Sequence, residues 1–232
     1  MASVLGAFPR ILGPYNQDII TMPLYKKIQH NSGTQLLIWE ITESYDQLFS
    51  EVVLNMKNRI RLKGMKSELH QRGFLSVRKL LQEAGFNDLD LYYDAFGKPH
   101  LIDGNYISIT HSHHFSAIII SDQTVGIDME LQREKITRIA DKFVSKEFKY
   151  LDTKDPKKYI DQLTVIWGAK EAIFKIRNEK GISFKEHIEV ASFDLEKKQT
   201  TANLRFQGLK QQYIIKYESI AGFGLVYAFE KI

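Results

Sequence analysis

The chain has 232 residues, 44% hydrophobic and 26% charged, with a net charge of +4. That balance suits one large domain or two small ones with packed cores and argues against a disordered chain. It contains no cysteine, which excludes disulfides and thiolate metal sites. Met1 to Arg10 lacks the basic-then-apolar pattern of a signal peptide. No apolar run approaches the ~20 residues that span a bilayer. A cytoplasmic protein with no membrane partner is expected.

Pro9, Pro14 and Pro23 interrupt any regular element near the start. The first 34 residues are expected to be extended or loop structure packed on the surface of the first half. Leu36 to Ile41, around Trp39, reads as a strand. Tyr45 to Met56 and Ser67 to Ala84 place apolar residues at helical spacing, and Gly85 is a stop for the second. Between Lys57 and Lys79 lie eight Lys or Arg residues and one acid, Glu68. Such a patch suits a phosphate-bearing ligand, an acidic protein or nucleic acid, or it is a solvated helix face.

The middle of the chain turns to strands, beginning at Tyr106, Ile107 and Ile109, then Ser116 to Ser121 and Val125 to Glu130. Helical patterns follow over Thr137 to Leu151 and Pro156 to about Asn178. The second opens on Asp155 as N-cap and Pro156 at the first helical position. Four strands are expected at the end: Ile188 to Phe193, Thr201 to Phe206, Tyr213 to Tyr217 and Gly224 to Phe229. This order predicts an α+β fold whose two mixed halves meet near Ser121.

Four segments carry candidate chemistry. In the strand Val125-Gly126-Ile127-Asp128-Met129-Glu130, alternation sends Val125, Ile127 and Met129 to the core. Asp128 and Glu130 then share the opposite face, where two carboxylates repel unless a cation lies between them. Hard oxygen ligands of this kind suit Mg²⁺, but on this motif alone the ordinary polar face of an amphipathic strand is the favoured reading. In Trp167 to Lys175, Ala169, Ala172 and Ile173 pack inward. Trp167, Lys170, Glu171, Phe174 and Lys175 fall on the other side, where the aromatics argue for a cleft or seam rather than open solvent. Gly168 is unexpected inside a helix, and close backbone packing would account for it.

Thr110-His111-Ser112-His113-His114 closes a strand. Neighbours on an extended chain point to opposite faces, so at most His111 and His113 could share a zinc ion, with no cysteine to complete the site. A histidine and two hydroxyls could instead hold a phosphate, or form a polar loop. Phe96-Gly97-Lys98-Pro99 reads as a turn presenting Lys98.

In this order, Gly97-Lys98-Pro99, Thr110-His111-Ser112, Gly126-Ile127-Asp128-Met129-Glu130 and Trp167 through Lys175 resemble the 4'-phosphopantetheinyl transferases of the larger, surfactin-synthetase-activating type. Phe143 to Glu147 and Lys180 to Ser183 also look like that family. The strong match runs from Tyr93 to Ser183. Thr110 stands where Ser is usual, His113 and His114 where a small residue is common, and Gly168 where Ser or Thr is usual.

The resemblance implies two similar α+β halves related by pseudo-twofold symmetry, residues 1–121 and 122–232, with the active site between them. It implies transfer of phosphopantetheine from coenzyme A to an acidic apo acyl or peptidyl carrier protein. Asp128, Glu130 and Glu171 look like the Mg²⁺ ligands. Glu171 is either a ligand or the acceptor of the serine proton, and Lys175 meets the leaving group. Thr110 and His111 look like phosphate contacts of coenzyme A, with Lys98, Lys170 and Lys175 as further donor-side contacts and Arg72 as a phosphate-binding residue. A monomer that binds no nucleic acid is expected. The rival readings are a nucleic-acid-binding module resting on the basic patch, a non-catalytic carrier-binding relative, and a magnesium-dependent phosphohydrolase.

Overall fold

The structure is a computed structural model that describes residues 24–231; the expectation for the residues before Leu24 lies outside them. The chain opens with strands β1 (Leu24–Asn31) and β2 (Thr34–Glu40) and helices α1 (Tyr45–Glu51), α2 (Met56–Lys63) and α3 (Glu68–Glu83). Strands β3 (Leu91–Tyr93), β4 (Pro99–Leu101), β5 (Tyr106–Ser112), β6 (Phe115–Ser121) and β7 (Val125–Leu131) follow. Two 3₁₀ segments, Glu134–Lys142 and Lys146–Lys149, lead to the long helix α4 (Pro156–Arg177) and the short α5 (Phe184–His187). The chain finishes with β8 (Ile188–Val190), a 3₁₀ turn at Leu195–Lys197, β9 (Gln199–Phe206), β10 (Leu209–Ile220) and β11 (Phe223–Glu230).

The strands build a four-stranded sheet in the order β1-β2-β6-β5 and a five-stranded sheet in the order β7-β11-β10-β9-β8. All described pairings within them are antiparallel. Period-two alternation gives each sheet two apolar faces. Leu37, Trp39, Ile118 and Ile120 turn toward α1 and α3. Leu36, Ile38, Phe115, Ala117 and Ile119 turn the other way and meet Val125, Ile127, Met129, Phe223 and Leu225 of the second sheet. The far face of that sheet, with Val226 and Ala228, packs on Leu163, Ile166, Ala169, Ala172 and Ile173 of α4. The layers therefore run helix, sheet, sheet, helix, a mixed α+β architecture.

Two expected helices differ. Tyr45 to Met56 breaks into α1 and α2 because Val52 is extended and buried, while Asn55 starts a new helix by accepting from the Asn58 N–H. Thr137 to Leu151 forms two 3₁₀ segments rather than an α-helix. The side chain of Glu147 is drawn inward, where it accepts from the N–H groups of Ser145 and Val190, and this tightens the chain around it. The N-terminal signal of α4 holds: Asp155 caps the Lys158 N–H, with proline in the first turn.

Gly126 and Gly168 bring α4 close to the second sheet. A Cβ on Gly126 would overlap the carbonyl oxygen of Ala172, and one on Gly168 would stand 2.6 Å from Val226. Only glycine permits that approach, which accounts for Gly168 inside a helix.

Candidate active site

β7 is the edge strand of its sheet, so the N–H groups of Ile127 and Met129 find no ladder partner on their outer side. They donate instead to side-chain hydroxyls of β5, Ser108 Oγ at 3.1 Å and Thr110 Oγ1 at 3.2 Å. Ser112 continues the row and reaches Glu130 Oε2 at 3.4 Å. The two sheet edges are thus joined by hydroxyls at alternate positions of β5, which satisfy buried donors that would otherwise be costly. That alternation, Ser108-x-Thr110-x-Ser112, was readable in the sequence as the polar face of a strand, but Ser108 was not singled out.

Asp128 and Glu130 project from β7 toward α4, as alternation predicts. Asp128 is buried. Its Oδ1 accepts from Lys175 Nζ at 2.9 Å and lies 3.4 Å from Thr110 Oγ1. The same Lys175 ammonium donates to the carbonyl of Ile127 at 2.8 Å. Asp128 Oδ2 is buried without a hydrogen-bond partner among the described residues.

Glu171 lies one helical turn before Lys175. Burial, then the charge of Asp128, raises its pKa to about 7; Lys175 opposes this and Glu130 adds to it. Burial and then Asp128 also push the Glu130 carboxyl above its usual range. The three acids therefore occupy one electrostatic neighbourhood. Even so, among the described residues no three His, Cys, Asp or Glu side chains are gathered closely enough to hold a metal ion, and Lys175 takes the cation's place beside Asp128. The donors do fit a divalent ion such as Mg²⁺: hard oxygens, one buried and unpartnered, and two carboxyls whose pKa values burial and Asp128 raise.

His111 leaves β5 beside α3, where a Cβ on Gly73 would stand 3.3 Å from its Nδ1. Burial, then the neighbours His70 and Lys175, lower its pKa. His70, which sequence reasoning passed over, stands with its ring centroid 6.3 Å from that of His111. Arg72 donates to the Ile41 carbonyl at 3.0 Å. Lys98 donates to the Ile176 carbonyl at 2.6 Å, so it closes the C-terminal turn of α4.

Lys170 is a correction. Expected on the open side of α4 as a contact to coenzyme A, it is 0% exposed. Its ammonium pairs with Glu147 Oε1 at 2.6 Å and donates to the carbonyls of Phe143 at 2.7 Å and Phe184 at 3.0 Å. An ammonium has three protons and all three are taken. The flanking aromatics belong largely to the same packing, since Trp167 meets Phe143 and Phe184, and Phe174 meets Phe184. Trp167 does reach a cleft of about 220 Å³ beside Glu130, which Ile136 and Ile139 line and Arg133 and Lys135 rim.

Residues 124–227 match the family model of the 4'-phosphopantetheinyl transferase superfamily. This segment is related to the 4'-phosphopantetheinyl transferases. It carries Asp128, Glu130, Glu171 and Lys175, while Lys98, Thr110 and His111 precede it. The chain is also similar to two curated proteins, each 28% identical. One is 4'-phosphopantetheinyl transferase ffp of Bacillus subtilis, over 61% of this chain and 66% of that protein. The other is 4'-phosphopantetheinyl transferase gsp of Aneurinibacillus migulanus, over 62% of this chain and 60% of that protein. The chain thus spans less than two thirds of each relative's length. The resemblance read from the four motifs is borne out. Among the described residues no helix is long and apolar enough to cross a membrane.

Proposed function

We propose that this protein transfers the 4'-phosphopantetheine group of coenzyme A to a serine of an apo acyl or peptidyl carrier protein, releasing adenosine 3',5'-bisphosphate. The observation that carries this reading is the neighbourhood of Asp128, Glu130 and Glu171 with Lys175, assembled from a strand edge and a close-packed helix. Asp128, Glu130 and Glu171 would hold Mg²⁺, which when bound neutralises charge on a pyrophosphate.

The chain's own groups supply the rest. The serine oxygen attacks the β-phosphorus, and the bond to the bisphosphate oxygen breaks. Glu171 either completes that ligand set or takes the serine proton; in the metal-free protein burial and Asp128 raise its pKa to about 7. Lys175 already pairs with Asp128 and would offset the charge of the departing phosphate. Thr110 and His111 belong to the donor side. The basic rim at Arg133 and Lys135 would steer an acidic helical carrier.

The same reading holds that residues 1–121 and 122–232 are two similar halves related by a pseudo-twofold axis, that the protein acts as a cytoplasmic monomer, and that nucleic acid and membranes are not its partners. The test is to incubate the protein with coenzyme A, Mg²⁺ and several apo carriers and to weigh the carriers. One phosphopantetheinyl group should appear per carrier, with an equal amount of adenosine 3',5'-bisphosphate. Release of free phosphopantetheine or phosphate with no carrier gaining mass would favour a phosphohydrolase and end the proposal.

A further inference from the structure

We propose that Ser108 and Thr110 are positioning residues for Asp128 and Lys175. Their hydroxyls replace a backbone ladder between β5 and β7, which leaves the carbonyl of Ile127 to Lys175 and one oxygen of Asp128 free for a ligand. The inference rests on the transferase reading for what Asp128 holds, but the seam stands on its own geometry.

In a strand the N–H and C=O of one residue leave on the same side. Ile127 therefore aims both away from its own sheet, and in a ladder both would go to one neighbouring strand. Here they part company. The N–H donates to Ser108 Oγ at 3.1 Å, while the C=O accepts from Lys175 Nζ at 2.8 Å. Two residues on, the Met129 N–H donates to Thr110 Oγ1 at 3.2 Å. Three successive peptide groups around Asp128 are thus tied from outside the sheet, by Ser108, then Lys175, then Thr110. A partner strand would bring its own N–H to the Ile127 carbonyl and displace Lys175. A hydroxyl accepts from the strand without doing so.

Thr110 also reaches the carboxylate. Its oxygen accepts from Met129, so its one proton is left for Asp128 Oδ1, 3.4 Å away. Lys175 donates to the same Oδ1 at 2.9 Å. Two donors on one oxygen orient the carboxylate, and Oδ2 is the atom left without a partner among the described residues. Ser108 and Thr110 are themselves buried. Thr110 stands on the donor-side strand, yet its hydroxyl is turned to β7. Hydroxyls with a merely structural role would satisfy two buried N–H groups and leave metal affinity and turnover alone.

The test uses the full chain. Turnover and the KM for coenzyme A are measured for the wild type, Thr110→Val, Thr110→Ser and Ser108→Ala. Mn²⁺ binding with saturating coenzyme A is read by electron paramagnetic resonance, and urea denaturation is run in parallel. Thr110→Val keeps the side-chain shape and loses the hydroxyl. It should weaken Mn²⁺ binding and lower kcat about tenfold each, the scale of one hydrogen bond to a charged group, with the KM for coenzyme A nearly unchanged. Thr110→Ser should restore both. Ser108→Ala should weaken Mn²⁺ binding and lower kcat in the same direction, and it carries the test if Thr110→Val does not fold. A raised KM at unchanged Mn²⁺ affinity would return the Thr110 hydroxyl to the donor and overturn the proposal. So would variants that lose stability but keep wild-type Mn²⁺ affinity and kcat. Mn²⁺ binding is read without carrier, so weakened binding in the variants of a protein that labels no carrier would uphold the seam and end the transferase reading.

Discussion

Replacing Glu171 with glutamine should stabilise the metal-free protein while abolishing transfer. Burial and Asp128 raise the Glu171 pKa from 4.5 to about 7. The folded state therefore binds this proton more tightly than the unfolded chain does. Stability from the protonated form is full below about pH 4.5 and is lost as pH rises through about 7. At 1.36 kcal/mol per pH unit, the ionised group costs at most about 3 kcal/mol at pH 8. Glu171 is partly solvated, so about 1–3 kcal/mol is the realistic range. The assay is urea denaturation of wild type and Glu171→Gln in EDTA at pH 8 and pH 5, with carrier labelling in parallel. The variant should be the more stable at pH 8, with most of the difference gone at pH 5. Mg²⁺ should stabilise the wild type more than the variant. A variant no more stable at pH 8, or one that still labels carriers at the wild-type rate, would refute the reasoning.

Three further outcomes follow from the same geometry. Lys170→Met leaves the buried Glu147 without its counter-ion and should cost about 3–5 kcal/mol, partly recovered by Lys170→Met with Glu147→Gln; a rise in the KM for coenzyme A at unchanged denaturation midpoint would instead return Lys170 to the donor site. Gly126→Ala forces α4 off the sheet at Ala172 and should cost about 3 kcal/mol, with turnover falling further as Glu171 and Lys175 shift. An unchanged denaturation midpoint would mean that this close approach does not exist. Asp128→Asn removes the charge that helps hold the Glu171 pKa up, so the metal-free Glu171 midpoint, followed by carboxyl NMR, should fall from about 7 toward the ordinary range.

The sequence made the acids legible and concealed part of their setting. Alternation alone placed Asp128 and Glu130 on one face of β7, because a strand has a fixed period of two. Asp155 and Pro156 announced the start of α4 through local capping chemistry. Lys170 was misread because a helical wheel assigns a side but not a neighbour. Its side is covered by the 3₁₀ segment carrying Glu147, a contact between residues far apart in the chain. The break at Val52 and the 3₁₀ geometry around Phe143 had similar tertiary causes. The seam of Ser108, Thr110 and Ser112 depends on two sheet edges meeting, which no local pattern reveals. His70 drew no notice because only the Gly73 approach brings it beside His111.

The most direct measurement is Mn²⁺ binding, read by electron paramagnetic resonance with coenzyme A present, as a stand-in for Mg²⁺. One site per chain is expected in the wild type, with binding lost in Asp128→Ala and strongly weakened in Glu171→Gln. Equal binding by all three proteins, or carrier labelling by a wild type that binds no Mn²⁺, would contradict the carboxylate centre on which the proposed function depends.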